Sequence, residues 1–403
     1  MKRILFISLL MITIIPCVSA QKKEIAQARS FIKNGKNLDK AEELMRNLLK
    51  DSLLRDNEKV YLTLFEAVMK QRDQGNELLY LQQKTDTADF FEASLKAHLA
   101  YLALDSVEVL HNKKDHSQLK YRQRFARHVG GVCLNLYKGG EHFKRKGNTR
   151  RAIDFYDEYI ASYIRNAIAL QLRNDSKSDS MVSQAAFNAL HCAYKLDDVN
   201  LMEKYAPLAR KNQSMLPYQL QYMANIYRKK GEEKKYVGSL EEGFEKFPQN
   251  LYFFSHLVGW YGRKGKYDKA LEVVSRALEV DSTNRDYHLA KSSVFLNQKK
   301  YGECLAICDS LLQLNDSLPE AILNTGLAYY NMAVEKDKQP KQTATVRKKI
   351  HNYYEKAMLY LEKYRSLYPE RKRRWLHPLY IIYLNLNQGE KFDEINALMN
   401  EEN

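Results

Sequence analysis

From Pro217 onward the same residue types return every thirty-four positions. At the eighth place of successive units stand Ala224, Val258, Ser292 and Gly326, and at the eleventh Tyr227, Tyr261, Phe295 and Tyr329. The first set is mostly small and the second aromatic. The seventeenth and twentieth places hold Tyr267 and Ala270 in one unit and Tyr301 and Cys304 in the next, and the twenty-eighth runs Phe244, Leu278, Leu312. Spacings of three and four within each half-unit put the apolar residues on one helix face. Two such helices per period, joined by a glycine or lysine turn, make a helical hairpin. A hairpin cannot bury its apolar face alone, so several in succession must stack.

These residues resemble the tetratricopeptide repeat family, most closely through Phe254, Leu257, Tyr261, Gly265, Tyr267, Ala270 and Ala277, with Pro248 at the family's helix-ending place. The resemblance implies an all-α solenoid of antiparallel helical hairpins wound into a right-handed superhelix. The small eighth and twentieth places are where the two helices of a hairpin cross, and a large side chain there would force them apart.

The register weakens toward both ends. Residues 183–216 keep it through Ala186, Ala189, Leu190, Met202 and Ala206, and residues 133–166 through Leu136, Gly139, Gly140, Phe143, Gly147, Ala152 and Tyr156. Between those units a prolonged second helix should end in a polar turn over 173–180. Asn34-Gly35 and Leu38 to Ala41 suggest another hairpin, whereas 56–126 reads as helical without a register. Downstream, Ile322, Gly326 and Tyr329 open a unit that resumes at Tyr354 to Ala357 and ends at Pro369, which implies an insertion over 331–349. Its polarity and Pro340 predict a helical extension and then a break. The expected organisation is a signal segment over 1–20, degenerate hairpins over 21–132 and weak repeats over 133–216. Three regular repeats follow over 217–318, then an interrupted repeat over 319–370 and a capping hairpin over 371–403.

Lys2 and Arg3, an apolar run from Ile4 to Ile15, and Val18-Ser19-Ala20 form a secretory signal pattern with cleavage after Ala20. Pro16 stands before Cys17 where lipoprotein processing requires a small residue, so a soluble periplasmic or extracellular product is expected. Beyond that segment no apolar run reaches the roughly 18 residues of a membrane helix. Cys133, Cys192, Cys304 and Cys308 are too sparse to build a disulfide framework. Eight prolines and sixteen glycines, with no Ser/Gly/Pro-rich linker, suit one continuous helical array.

The stretch Gly262 to Lys266 carries glycines and cations that suggest a phosphate loop. Such a loop needs a glycine five places before Gly265, where Trp260 stands, and a hydroxyl where Tyr267 stands. The same turn recurs as Arg228 to Gly231 and Asn297 to Lys300, so it reads as a bend between helices. Cys304 and Cys308 share a helix face but occupy packing places without a histidine pair, and read as buried small hydrophobes. His111 and His116 sit in a charged turn, too far apart for one helix face. No hydrolase elbow, zinc protease motif or dinucleotide fingerprint occurs. No catalytic residue, cofactor or metal site is therefore predicted.

In the resembled family the second, fifth, ninth, twelfth and thirteenth places of each first helix line the concave groove. Carried onto this chain they give Tyr137, Lys144, Arg145, Phe187, His191, Tyr194 and Lys195, then Tyr218, Gln221, Asn225, Arg228, Lys229, Tyr252, Ser255, Gly259 and Arg263. Aromatic, amide and basic groups together suit an extended peptide of acidic character. The family's carboxylate clamp is missing: Asn225 fits one place, but Gln221, His256, Asp286 and Ala290 fill the others.

A second candidate surface is electrostatic. The formal charge is +15, and residues 331–376 hold thirteen Lys/Arg against five Asp/Glu, densest at Arg371, Lys372, Arg373 and Arg374. That run could meet nucleic acid, lipid headgroups or an acidic protein; the simpler reading is a solvated helix end with its cations near the C-terminal dipole. The expectation is a non-enzymatic adaptor of the cell envelope that holds a protein segment in its groove. The alternative is a binder of an anionic polymer or surface through 336–374. Nucleic acid is not the expected partner of the adaptor.

Overall fold

The computed structural model describes residues 21–83, 86–112, 119–170, 176–340 and 342–401. The signal segment with Cys17, and His116, lie outside them. The described residues form helices joined by short turns, with no strand among them, and divide into two compact units, Met1–Tyr222 and Met223–Asn403. None of the described helices is long and apolar enough to cross a membrane.

The first unit holds α1 (21–34), α2 (Leu38–Leu48), α3 (Glu58–Tyr80), α4 (Thr87–His111), α5 (Lys120–Arg145), α6 (Thr149–Leu170), α7 (Ser176–Lys195), α8 (Val199–Ala209) and the start of α9 (Leu216–Lys229). Helices adjacent in sequence pack against each other from α2 through α8. The stretch without a register is α3 and α4, whose 23 and 25 residues exceed a repeat helix by two turns or more. Their faces bury Leu64, Phe65, Val68, Leu104 and Tyr101 in one cluster with Met45 and Phe125, where the Phe65 and Phe125 rings meet edge to face at 4.6 Å. Burying side chains of this size contributes about 1.5–3 kcal/mol each. Asn57 and Asp86 cap α3 and α4 by accepting backbone N–H bonds. The N-terminus of α5 is capped from outside its own chain segment: the buried Glu108 carboxylate of α4 accepts the Tyr121 N–H at 2.9 Å.

The prolonged second helix exists as α6, with 22 residues. Of the polar turn expected over 173–180, residues 176–180 are helical as the start of α7, and 173–175 lie outside the described residues. Serines and an aspartate can occupy a first helical turn, where side-chain acceptors meet unsatisfied N–H groups. Gly139 and Gly140 of α5 lie against Phe155 and Tyr156 of α6; a β-carbon at Gly140 would stand 2.5 Å from the Tyr156 ring. That is the close crossing the small eighth place was expected to serve.

In the second unit, after the end of α9, come α10 (Glu233–Lys246), α11 (Leu251–Arg263), α12 (Tyr267–Val280), α13 (Arg285–Asn297), α14 (Tyr301–Leu314), α15 (Pro319–Asp337), α16 (Ala344–Leu367), α17 (Lys372–Asn385) and α18 (Gly389–Glu401). Helices α10, α12 and α14 begin and end thirty-four residues apart. The period is also written in the turns that precede them. Gly231, Gly265 and Lys299 all adopt left-handed backbone, with φ of 74°, 67° and 63°. In each turn the next residue's N–H reaches back to a tyrosine or phenylalanine carbonyl: Glu232 to Tyr227, Lys266 to Tyr261 and Lys300 to Phe295, each at 2.9 Å. This closes the first helix by satisfying a carbonyl that would otherwise be orphaned. Asn250 and Asn284, again thirty-four apart, cap α11 and α13, each worth roughly 1 kcal/mol.

The insertion over 331–349 lengthens both partners of one hairpin. Helix α15 has 19 residues and α16 has 24, against 13 or 14 in α9 to α14. The added turns are packed: Ala333 and Ile350 are buried beside Tyr354 in the core that continues into Trp375, Leu379 and Tyr383 of α17. Helix α18 covers that core with Ile395.

Candidate partner-binding faces

The first helices of consecutive hairpins in the first unit are α5, α7 and the start of α9, and their facing side chains are tied together. Asn188 of α7 is 3 % exposed; its amide nitrogen donates to Glu141 of α5 at 2.6 Å and its oxygen accepts the Lys144 ammonium at 2.9 Å. Glu141 also accepts the Tyr156 hydroxyl at 2.5 Å, and burial together with that carboxylate pushes the phenol's pKa up. Gln184 donates to Asn188 at 3.3 Å and accepts from Asn212 at 2.9 Å. A buried network satisfied in this way fixes its side chains.

Beside it stands an aromatic group centred on Tyr222. His191 stacks on Tyr222 at 5.2 Å with the planes 13° apart, Tyr194 stacks on it at 4.8 Å, and Phe187 approaches at 6.3 Å. Burial, then the charges of Lys195 and Lys144, hold the His191 pKa below its ordinary value. Lys144 also lies 3.9 Å from the Glu141 carboxylate, while Lys195 is exposed. Tyr137 packs on Tyr159 and Tyr156. Arg145, Lys195 and Tyr218 are exposed, while Gln221 is half-buried.

Phe187 departs from the groove expectation. It is 8 % exposed and works as an apolar anchor beneath Tyr222, because a fifth-place aromatic on a tightly packed first helix turns into the neighbouring helix. Conversely, Asn188 and Tyr222 were missed. Both occupy the sixth place of their units, four residues after the second and three before the ninth, and so lie on the same helix face. That spacing was the available signal.

In the second unit Tyr252 of α11 donates its hydroxyl to Asn225 of α9 at 2.8 Å and stacks on His256 at 4.2 Å. Ser255 bonds back to the Tyr252 carbonyl. Arg228, Lys229 and Arg263 are exposed; the Arg263 guanidinium folds over Gly259, 3.4 Å from where a β-carbon would stand. The cations of the Gly262 to Lys266 turn are engaged. Lys264 pairs with Glu233 at 2.8 Å, Trp260 donates to the same carboxylate at 3.0 Å, and the Lys266 ammonium lies 5.2 Å above the Trp260 ring. The turn joins α11 to α12 and cradles no phosphate geometry.

The basic run also differs from expectation. Arg371 to Arg374 sit at the N-terminus of α17, the positive end of its dipole, not at a helix C-terminus. The unfavourable placement is offset by acids: Arg374 meets Glu320 at 2.6 Å, and Arg371 lies 3.7 Å from Glu320 and 3.6 Å from Glu370. Arg371 also stacks 4.8 Å over Tyr368. Lys372 is half-buried and Arg373 exposed.

Cys304 and Cys308 are fully buried beside Ser292 and Thr325, and the hydrogen bond that the Cys304 thiol donates to Cys308, with burial, raises the Cys304 pKa. His111 ends α4, 3.8 Å from Glu58. Among the described residues no group of three or more His, Cys, Asp or Glu is placed to hold a metal ion.

No protein-family model matches the sequence, and no curated protein matches it. Solved structures similar to the chain include the C-terminal part of a TPR repeat-containing protein from Cytophaga hutchinsonii, at 14 % identity over 64 % of this chain and 92 % of that one, with a TM-score of 0.42. A TPR repeats protein from Bacteroides fragilis is 18 % identical over 66 % and 98 % with a TM-score of 0.31. The TPR2AB domain of yeast Sti1, in complex with pHSP90, is 13 % identical over 80 % and 98 % with a TM-score of 0.25. The helices themselves, with left-handed turns at 231, 265 and 299 and caps at 250 and 284, make the second unit an array of helical hairpins repeating every thirty-four residues.

Proposed function

We propose that this chain is a non-enzymatic scaffold of the cell envelope that holds an extended acidic protein segment along the face of α5, α7 and the start of α9. The observation that carries the reading is a fixed aromatic stack, Tyr222 with His191 and Tyr194, on helices that also carry Lys144, held by Asn188 at 2.9 Å, and the exposed Lys195 that follows Tyr194. Stacked rings supply rigid contact area at low entropic cost, and lysines supply charge-assisted bonds to carboxylates. The envelope location rests on the signal pattern of residues 1–20. Asn225, Arg228, Lys229, Tyr252 and Arg263 offer similar chemistry in the second unit.

A photoreactive residue in place of Tyr218, which is 52 % exposed, tests the face in the native envelope. The scaffold reading expects a defined cross-linked protein that disappears when Lys144, Arg145 and Lys195 are changed to Glu. An unchanged product would place binding elsewhere. If the product is lost instead when Arg371 and Arg373 are changed to Glu, with affinity falling steeply as salt rises, the anionic-surface alternative takes its place.

A further inference from the structure

The interrupted hairpin of the second unit reaches past its neighbour. Glu335 of α15 marks the level of the α13–α14 turn, where it pairs with Lys299 at 2.9 Å and accepts the Tyr301 hydroxyl at 3.0 Å. Past that level α15 runs on to Asp337 and α16 opens at Ala344, whereas Tyr354 holds the register place at which α12 and α14 open. The roughly ten residues 344–353 therefore add about 15 Å of helix at 1.5 Å per residue. Ala333 and Ile350 are buried in the core that the two helices share. The extension is a packed arm.

Its charge is unanswered. Lys336, Lys338, Arg347, Lys348 and Lys349 lie on the arm, all exposed except the half-buried Lys336, and none forms an ion pair among the described residues. Asp337 is the sole carboxylate in the sequence from 336 to 349, and its carboxylate and carbonyl both accept the Gln342 amide. Arg347 closes the first turn of α16 after the Thr343 cap, at the positive end of the dipole, where a cation is unfavourable. Arg371 and Arg374 stand at the same kind of place on α17, beyond the far end of α16, but there Glu320 and Glu370 offset them. The densest basic run of the sequence is thus partly neutralised, and the free charge stands at the tip of the arm.

We infer that the tip of the α15–α16 arm docks on an anionic lipid bilayer, with Lys338, Arg347 and Lys348 meeting the headgroup phosphates. This goes beyond the scaffold reading and does not depend on it. Cations set around the end of a protruding hairpin can reach a charged plane together, whereas an extended peptide needs a groove. Single-stranded nucleic acid would need exposed rings for its bases to stack on. The arm offers none: Tyr353 is half-buried, with the Lys349 ammonium 5.8 Å over its ring. Each cation near an anionic membrane strengthens binding about fivefold, and the attraction fades within a Debye length.

The test is co-sedimentation of the chain from Gln21 onward with phosphatidylcholine vesicles, either pure or carrying about one third phosphatidylglycerol. The wild type should bind the anionic vesicles, release them as salt rises and leave the neutral ones unbound. Lys338→Gln/Arg347→Gln/Lys348→Gln should weaken binding about a hundredfold without lowering the thermal midpoint, since these side chains hold no partner in the fold. Arg371→Gln/Arg373→Gln should weaken it less than about threefold. Should the triple variant fail to fold, Lys338→Gln alone decides, with an expected loss of about fivefold. Equal binding to both kinds of vesicle, no binding to the anionic ones at low salt, or binding unmoved by the triple substitution would overturn the assignment. Tighter binding to a single-stranded oligonucleotide than to the anionic vesicles would overturn it too, in favour of nucleic acid.

Discussion

Asn188 of α7 holds Lys144 of α5 in place: its carboxamide oxygen accepts the ammonium at 2.9 Å while its nitrogen is anchored on Glu141 at 2.6 Å. Asn188→Leu removes both bonds from a site that is 3 % exposed. The loss should be about 1–3 kcal/mol, the cost of leaving buried polar partners unmatched. Urea unfolding would read it as a lower midpoint. Acidic-segment binding should weaken as well, because Lys144 would no longer be fixed.

His191 gives the face a pH signature. Burial and the charges of Lys195 and Lys144 depress its pKa, so protonation is harder in the folded chain than in the unfolded one. The stabilising contribution is therefore complete above the unfolded value of ~6.5 and is lost as pH falls through the folded one. Histidine NMR should find the His191 midpoint below 6.5, and Lys195→Ala should move it upward. A bound acidic segment should also move it upward. An unshifted midpoint in the free protein would show that the two lysines do not act on the ring.

The turn at Lys299 is the repeat's weak point. Gly231 and Gly265 take left-handed backbone without strain, but Lys299 adopts φ 63° with a β-carbon. Its 2.9 Å pair with Glu335 is exposed and contributes little. Lys299→Gly should stabilise the second unit by about 0.5–1 kcal/mol, and Gly265→Ala should destabilise it by about 1 kcal/mol. Thermal unfolding of both variants checks the signs.

Much of the fold was legible because packing and turn chemistry repeat together. Gly265, Tyr261 and Ala270 each have one physical job, and each job recurs at fixed distance. The stretch from 56 to 126 resisted for the same reason: α3 and α4 are long helices buried by Phe65, Leu104 and their neighbours, without a recurring turn to mark a register. The insertion was visible in spacing, but its packed core of Ala333 and Ile350 was not, since polarity along the sequence hides which face is covered. Arg371 to Arg374 were placed at the wrong end of a helix because Glu320, the acid that makes the placement tolerable, lies far away in sequence. At the candidate face, ninth and twelfth places were readable from the family register. Asn188 and Tyr222 were not, because what matters about them is the partner across the helix boundary.

The most direct test of the scaffold account is selection of a displayed library of twelve-residue peptides, varied in charge and aromatic content, on the wild-type chain and on Lys144→Glu/Lys195→Glu. The account predicts that the wild type enriches acidic peptides, that the enrichment persists at moderate salt, and that the double variant loses it while remaining folded. Equal enrichment by both proteins, or no preference for acidic peptides by the wild type, would contradict it.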